Sequence, residues 1–261
     1  MGIAMLNPSY IFNEKSSATP QPIRQVIQSM STNNQLNPYK GKLNISAIAC
    51  GMNAAIKNAN RLANDARLLF EHERWPTAAS IAILSIEESG KVPILRRFVG
   101  ATEQELKGLW KEYRCHTSKN VAWILPDLVE KGARSLESLS SICDQASDHP
   151  NVLDAIKQIG FYSDCLGSTN WSIPSDIADK LLAEHLVTTS ELLANKRHIT
   201  ERELELWETL VVPVINGPNE SAHQGLIAWH ETLIREGLAE PGKITMQAFI
   251  KGTQDEEKAK E

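Results

Sequence analysis

Trp75-Pro-Thr-Ala-Ala-Ser-Ile-Ala-Ile-Leu-Ser-Ile-Glu-Glu-Ser-Gly-Lys91 decides the fold of this chain. From Ala78 to Ile86 the residues are small or aliphatic, and Ser80 and Ser85 carry the only hydroxyls. A run this long without strict alternation reads as a helix buried over most of its circumference. Pro76 suits the first turn, where a missing N–H costs nothing. Glu87 and Glu88 then stand back to back, and Lys91 lies one helical turn beyond both. At least one of these charges must sit close to the core, where an ion is costly unless it is paired and hydrogen-bonded. Two explanations compete. One is a polar clamp, with Glu88 and Lys91 paired to hold a neighbouring helix in register. The other is a polar pocket that faces a substrate or partner.

Working outward, residues 1–43 hold Pro8, Pro20, Pro22 and Pro38 among clusters of Ser, Asn and Gln. They read as a poorly ordered adaptor segment with a short helix around Ile23 to Met30. Asn44 or Ser46 can cap a helix from Ala47 to about Glu73, in which Ile48, Met52, Ile56, Leu62, Ala66 and Leu69 recur at helical spacing. The short connection to Trp75-Pro76 favours an antiparallel helix hairpin. Pro93 kinks or ends the second helix. Thr102 with Glu105 forms a capping box for a third, which carries Leu106, Leu109, Trp110 and Tyr113.

Further helices are expected over Ala122 to Cys143, over Val152 to Cys165 after a break at Pro150, and from Asp176 to Asn195 behind a Ser175 cap. Two more follow: Leu204 to Ile215 behind a Thr200–Glu203 capping box, and Asn219 to Arg235. Gly167 to Pro174 reads as a loop, and no hairpin turn or internal repeat stands out. The fold class is all-α, a helical bundle with N- and C-terminal helical additions. The domain spans 44–253, after the segment 1–43 and before a charged tail at 254–261.

The 261 residues carry a net charge of −5, so no overall basic field draws in nucleic acid. Cys50, Cys115, Cys143 and Cys165 lie far apart without metal-ligand spacing, and Cys50 and Cys165 read as small buried hydrophobes. No signal peptide and no bilayer-spanning apolar segment is apparent, so a soluble cytoplasmic protein is expected. A phosphate-binding Gly-rich loop, a dinucleotide fingerprint, a nucleophile elbow and a Glu-x-x-His pair are all absent, and no cofactor or metal is expected.

Two further polar clusters stand out. His116 and Lys119 follow Arg114 and pair a group that titrates near neutrality with a compact cation. Lys157, Tyr162 and Asp164 fall in one short apolar-lined segment. Arg67 and His72 have a spacing used in some nucleases and read mainly as surface residues. His185, His198, His223 and His230 lack companions.

The Ala-rich helix, Ala79-Ser-Ile-Ala-Ile-Leu-Ser-Ile-Glu-Glu-Ser-Gly-Lys91, His116-Thr-Ser-Lys119 and Lys157-Gln-Ile-Gly-Phe-Tyr-Ser-Asp164, in this order, resemble the abortive-infection V (AbiV) family of bacterial phage-defence proteins. That family is related to the HEPN superfamily of α-helical domains, which often dimerise and often act as metal-independent ribonucleases. The resemblance covers about residues 50 to 165. It implies a homodimeric, toxin-like effector that arrests translation, with RNA (tRNA or rRNA) as target and a phage-encoded protein as activator. The expected cleft is built from catalytic Glu88, Lys91, His116, Lys119, Lys157 and Tyr162, with Glu87, Arg114 and Asp164 as substrate-binding residues. His116 or Tyr162 would handle the proton at the 2′-hydroxyl, and the lysines would stabilise phosphate charge. A typical HEPN nuclease carries Arg, a polar residue, a short spacer and then His. Here Lys157 followed by Tyr162 is the nearest analogue, so the pattern is altered. A non-enzymatic helical module that binds a phage or host protein is the alternative.

Overall fold

The helix hairpin around Trp75 is the centre of the unit that begins at Gly41. In a computed structural model, residues 37–144, 146–167, 169–194 and 197–252 are described. The chain divides at Lys40, and the elements below belong to the unit that begins at Gly41. The helix expected around Ile23 to Met30 and the charged tail lie outside the described residues.

Helix α1 (Ile45–Glu71) starts where the Asn44 side chain accepts a hydrogen bond from the Ala47 amide at 2.8 Å. Its buried stripe is Ile48, Met52, Ala55, Ile56, Ala59, Leu62, Ala63 and Ala66. Helix α2 (Trp75–Arg96) returns after a tight turn in which Glu73 takes a left-handed φ of 59°. Small residues let the two helices approach closely enough for the buried Ser85 hydroxyl to donate to the Ala59 carbonyl at 2.8 Å. Pro93 lies inside α2 without ending it.

The far face of α2 is covered by two more helices, so that it is buried on several sides, as its apolar run requires. These are α6 (His149–Phe161) and α8 (Lys180–Leu193). Ala79, Ile83 and Ile86 pack there with Leu153, Leu186 and Val187. A second core joins Ile48, Met52, Leu95 and Phe98 to Leu106 and Trp110 of α3 (Glu103–Arg114), whose capping box at Thr102 and Glu105 forms as expected.

Between α3 and α6 the chain forms a single-turn helix α4 (His116–Lys119), a 3-10 turn at Val121–Ile124 and α5 (Leu125–Glu130). The one long helix expected over Ala122 to Cys143 does not form. Gly132 adopts a φ of 97°, and the Ser138 hydroxyl accepts from the amides of Arg134 and Ser135, holding the backbone in a turn. Pro150 does not break the chain but sits in the first turn of α6.

The segment read as a loop, Gly167 to Pro174, supplies β2 (Asn170–Trp171), which pairs antiparallel with β1 (Cys165–Leu166) just before it, Cys165 facing Trp171. The helix expected from Asp176 to Asn195 is two helices, α7 (Pro174–Ile177) and α8. Ala178 between them is extended, and the Asp179 side chain caps α8. Cys50 and Cys165 are exposed rather than buried: Cys50 lies off the apolar stripe of α1, and Cys165 is on the small ladder. Among the described residues no helix is long and apolar enough to cross a membrane.

The C-terminal part adds α9 (Glu201–Leu210), α10 (Asn219–Arg235) and α11 (Met246–Lys251). Helix α9 stops at Leu210 rather than running to Ile215. The Thr200 hydroxyl caps it, but Glu203 does not complete a capping box. Its fully buried carboxylate instead accepts from Arg197 at 2.8 and 2.9 Å and from Arg96, at the end of α2, at 3.2 Å. The Arg96 guanidinium lies over the rings of both Trp207 and Trp229, 5.4 and 5.3 Å from their centroids. Removing one member of such a network leaves an uncompensated buried charge. Glu203→Gln is therefore expected to destabilise the fold by about 3 kcal/mol or more, read as a lowered denaturant midpoint with unchanged slope.

Candidate functional site

Position 87 falls on the face of α2 that meets both α4 and α6, and this makes Glu87 the buried carboxylate, with an exposure of 4%. Two glycines allow that approach. A side chain at Gly90 would collide with the Lys119 backbone carbonyl, and one at Gly160 with the Ser80 hydroxyl. The 3-10 turn after α4 is tied to the start of α6 from both directions. The Trp123 indole N–H donates to the His149 carbonyl at 3.1 Å, and His149 Nε2 donates to the Val121 carbonyl at 3.1 Å. The Ser147 hydroxyl donates to His149 Nδ1 at 2.7 Å, which fits that tautomer.

Three side chains from two elements converge on Glu87. His116 Nδ1 donates to Oε2 at 2.6 Å. Lys157 donates to Oε1 at 2.5 Å, and Lys119 Nζ lies 3.8 Å from Oε2. Asp154, one turn before Lys157 on α6, accepts a second bond from Lys157 at 2.7 Å. The lysines and Glu87 are almost sealed from solvent, whereas the His116 side chain is 55% exposed. The buried acid thus fixes the ring by its Nδ1 edge and leaves Nε2 as the outward nitrogen.

Burial draws the Lys119 ammonium below the usual lysine range, against the opposing pull of Glu87. Burial acts downward on Lys157 as well, but hydrogen bonds to Asp154 and Glu87 outweigh it and hold its value above the usual range. Just before His116, hydrogen bonds from Ser118 and then Thr117 bring the Cys115 thiol down to about 7.

Four of the nine residues singled out in the sequence, Glu87, His116, Lys119 and Lys157, share this centre. Glu88 and Lys91 pair with each other at 2.6 Å, with Lys91 also 5.4 Å from the Tyr113 ring; both act on Lys119 only through their charges. Arg114 donates to the Trp110 carbonyl and stacks on the Trp110 ring. Tyr162 is exposed at the end of α6, beside Phe161. The Asp164 carboxylate accepts from the Cys165 amide at the small ladder. Arg67 and His72 go separate ways: Arg67 pairs with Glu191 of α8, and His72 bonds the Leu68 carbonyl.

Asp154 and His149 escaped the sequence reading. The i,i+3 spacing of Asp154 to Lys157 repeats the signal that marked Glu88 and Lys91, whereas His149 carries no comparable mark. Glu87, His116 and Asp154 also offer donor atoms that all lie within 4.8 Å of one another, the kind of set that can hold a metal ion.

The family model HEPN_AbiV, described as AbiV, matches residues 47–195, more than half of the chain. The protein belongs to the AbiV family. The matched region runs from α1 through α8 and contains every residue of the Glu87 centre, while α9 to α11 lie beyond it. AbiV membership points to an abortive-infection effector of the HEPN type. No curated protein and no solved structure matches the chain.

Three measurements check the electrostatics of the AbiV centre. Lys157→Met is expected to cost about 3 kcal/mol by taking from buried Glu87 its nearest cation and leaving it only the His116 hydrogen bond and Lys119 at 3.8 Å, and adding Glu87→Gln should restore much of the loss. The pH dependences should have opposite signs. The Lys157 contribution is complete at neutral pH and is lost as pH rises through its raised folded value. For Lys119 the unfolded chain holds the proton more firmly, so the stability difference between wild type and Lys119→Met should grow as pH approaches about 10.4. Alkylation of Cys115 should follow a midpoint near pH 7, followed by mass spectrometry against the three other cysteines.

Proposed function

We propose that this protein is a phage-defence effector that acts on RNA through His116, with Glu87 as the group that holds the imidazole. The observation that carries the proposal is the Glu87–His116 hydrogen bond, in which a buried carboxylate orients a half-exposed imidazole. HEPN domains commonly dimerise and bind RNA, and we extend both properties to this chain, with a homodimer as the working unit.

In the cleavage reaction His116 Nε2 takes the proton of a ribose 2′-hydroxyl. The 2′-oxygen attacks the adjacent phosphorus, the bond from phosphorus to the 5′-oxygen breaks, that oxygen takes a proton from solvent water, and a 2′,3′-cyclic phosphate remains; the imidazolium then returns its proton to solvent. Glu87 fixes the tautomer and favours the imidazolium that forms. Lys119 and Lys157, being buried, act on this step through Glu87 and His116 rather than by touching phosphate. Asn120, next to Lys119, supports a site rather than a plain clamp. It is fully buried with neither amide atom hydrogen-bonded, a cost of about 1–3 kcal/mol per group that packing alone would remove.

The second reading has its own observation. Formal charges balance across Glu87, Glu88, Asp154, Lys91, Lys119 and Lys157, and both central lysines are sealed, as in a clamp that holds helices in register around a protein-binding surface.

Incubation of purified protein with total RNA, with and without EDTA, separates the two. Cleavage that survives EDTA and falls by about 100-fold or more in His116→Gln supports the enzyme. If no cleavage appears and His116→Gln cells resist phage as well as wild type, the enzyme reading is lost. Full defence by the Glu87→Gln, Lys157→Met double variant would favour the clamp.

A further inference from the structure

Two carboxylates and an imidazole surround one cation in this protein, and the cation belongs to the chain. Lys157 Nζ lies 2.5 Å from Glu87 Oε1, 2.7 Å from Asp154 Oδ1 and 3.4 Å from His116 Nδ1. Donor atoms of the three residues lie within 4.8 Å of one another, a spread that a single small ion can bridge. Two carboxylates and an imidazole, from α2, α6 and α4, are also the ligand types that zinc and related divalent ions take, with an open position left for water. The partly open side is present, because His116 and Asp154 keep side-chain exposures of 55% and 29% while Glu87 is at 5%.

We propose that Glu87, His116 and Asp154 form a divalent-metal-type site that Lys157 keeps filled with its own ammonium group. The protein carries a fixed cation where a metalloprotein would recruit one. This inference concerns the same centre as the proposed RNA chemistry but does not depend on it, since it is read by metal binding alone. With Lys157 in place a metal ion would have to displace a buried ammonium held by two carboxylates, so the wild type excludes it. Without that side chain the two carboxylates face each other with only Lys119, 3.8 Å from Glu87, to offset their charge. A divalent ion then binds both, together with His116 Nδ1, which gives up the proton it donates to Glu87, and the ring's single proton moves to Nε2.

The test uses the full chain and Zn2+, with Mg2+ as control, followed by calorimetric titration and thermal melting. Lys157→Ala is expected to bind one Zn2+ per chain with a raised melting temperature, to show little response to Mg2+, and to lose binding when Asp154→Asn or His116→Ala is added. The wild type is expected to show no such site. If Lys157→Ala is unfolded alone, Zn2+ should restore its fold, and Lys157→His, which supplies a fourth ligand, should behave likewise. Folded Lys157→Ala that takes no Zn2+, binding that survives the loss of Asp154 and His116, a wild type that binds equally well, or failure of both Lys157 variants to fold with Zn2+ would each overturn the proposal. Loss of RNA cleavage by itself would bear on the proposed function and not on this one.

Discussion

A carboxylate with 4% exposure in the middle of the central helix must be neutralised from outside that helix, and this constraint arranges much of what surrounds it. Lys91, one turn beyond both acids on α2, pairs with Glu88. The partners of Glu87 come from α4 and α6, and each must approach at hydrogen-bonding distance. Glycine at positions 90 and 160 makes room for the two approaches, and the bonds of Trp123 and Val121 with His149 tie the turn after α4 to the start of α6. Charge burial of this kind is a poor source of stability compared with apolar packing, and it commits the local structure to a single arrangement.

The two acidic neighbours in the sequence thereby have different surroundings. Glu88 and Lys91 form a partly exposed pair within one helix, of a kind that contributes little stability. Glu87 gathers charges from elsewhere and presents one outward group, the His116 imidazole. The lysines that looked like phosphate contacts in the sequence face inward, so their influence on any bound anion passes through the side chains they hold.

Much of the fold was legible because its signals are local. The apolar run of α2, the Asn44 and Thr102 caps, the short link between α1 and α2, and the stripe of α1 each follow from residues close in sequence. Failures came where side chains compete with the backbone or where the deciding partner is distant. The Ser135–Ser138 turn and Gly132 ended a helix whose composition allowed it to continue. The Glu203 carboxylate, instead of closing the capping box, accepts from Arg197 at 2.8 and 2.9 Å and from Arg96, more than a hundred residues away, at 3.2 Å. The site followed the same rule. His116, Lys119 and Lys157 stood out by type and spacing, but which of Glu87 and Glu88 would be buried depends on elements that pack from far along the chain, and Tyr162 and Asp164 fall past the end of α6.

The contact of Arg96 with Glu203 and two tryptophans has a bearing on where this molecule can be divided. The family-matched region stops at residue 195, yet the last turn of its central helix is anchored by an acid and by indole rings that all lie after that point. A fragment trimmed to the matched boundary would keep every residue of the Glu87 centre and still leave a guanidinium stranded on bare apolar surface. The unit that inheritance conserves and the unit that can stand alone in water are therefore not the same length.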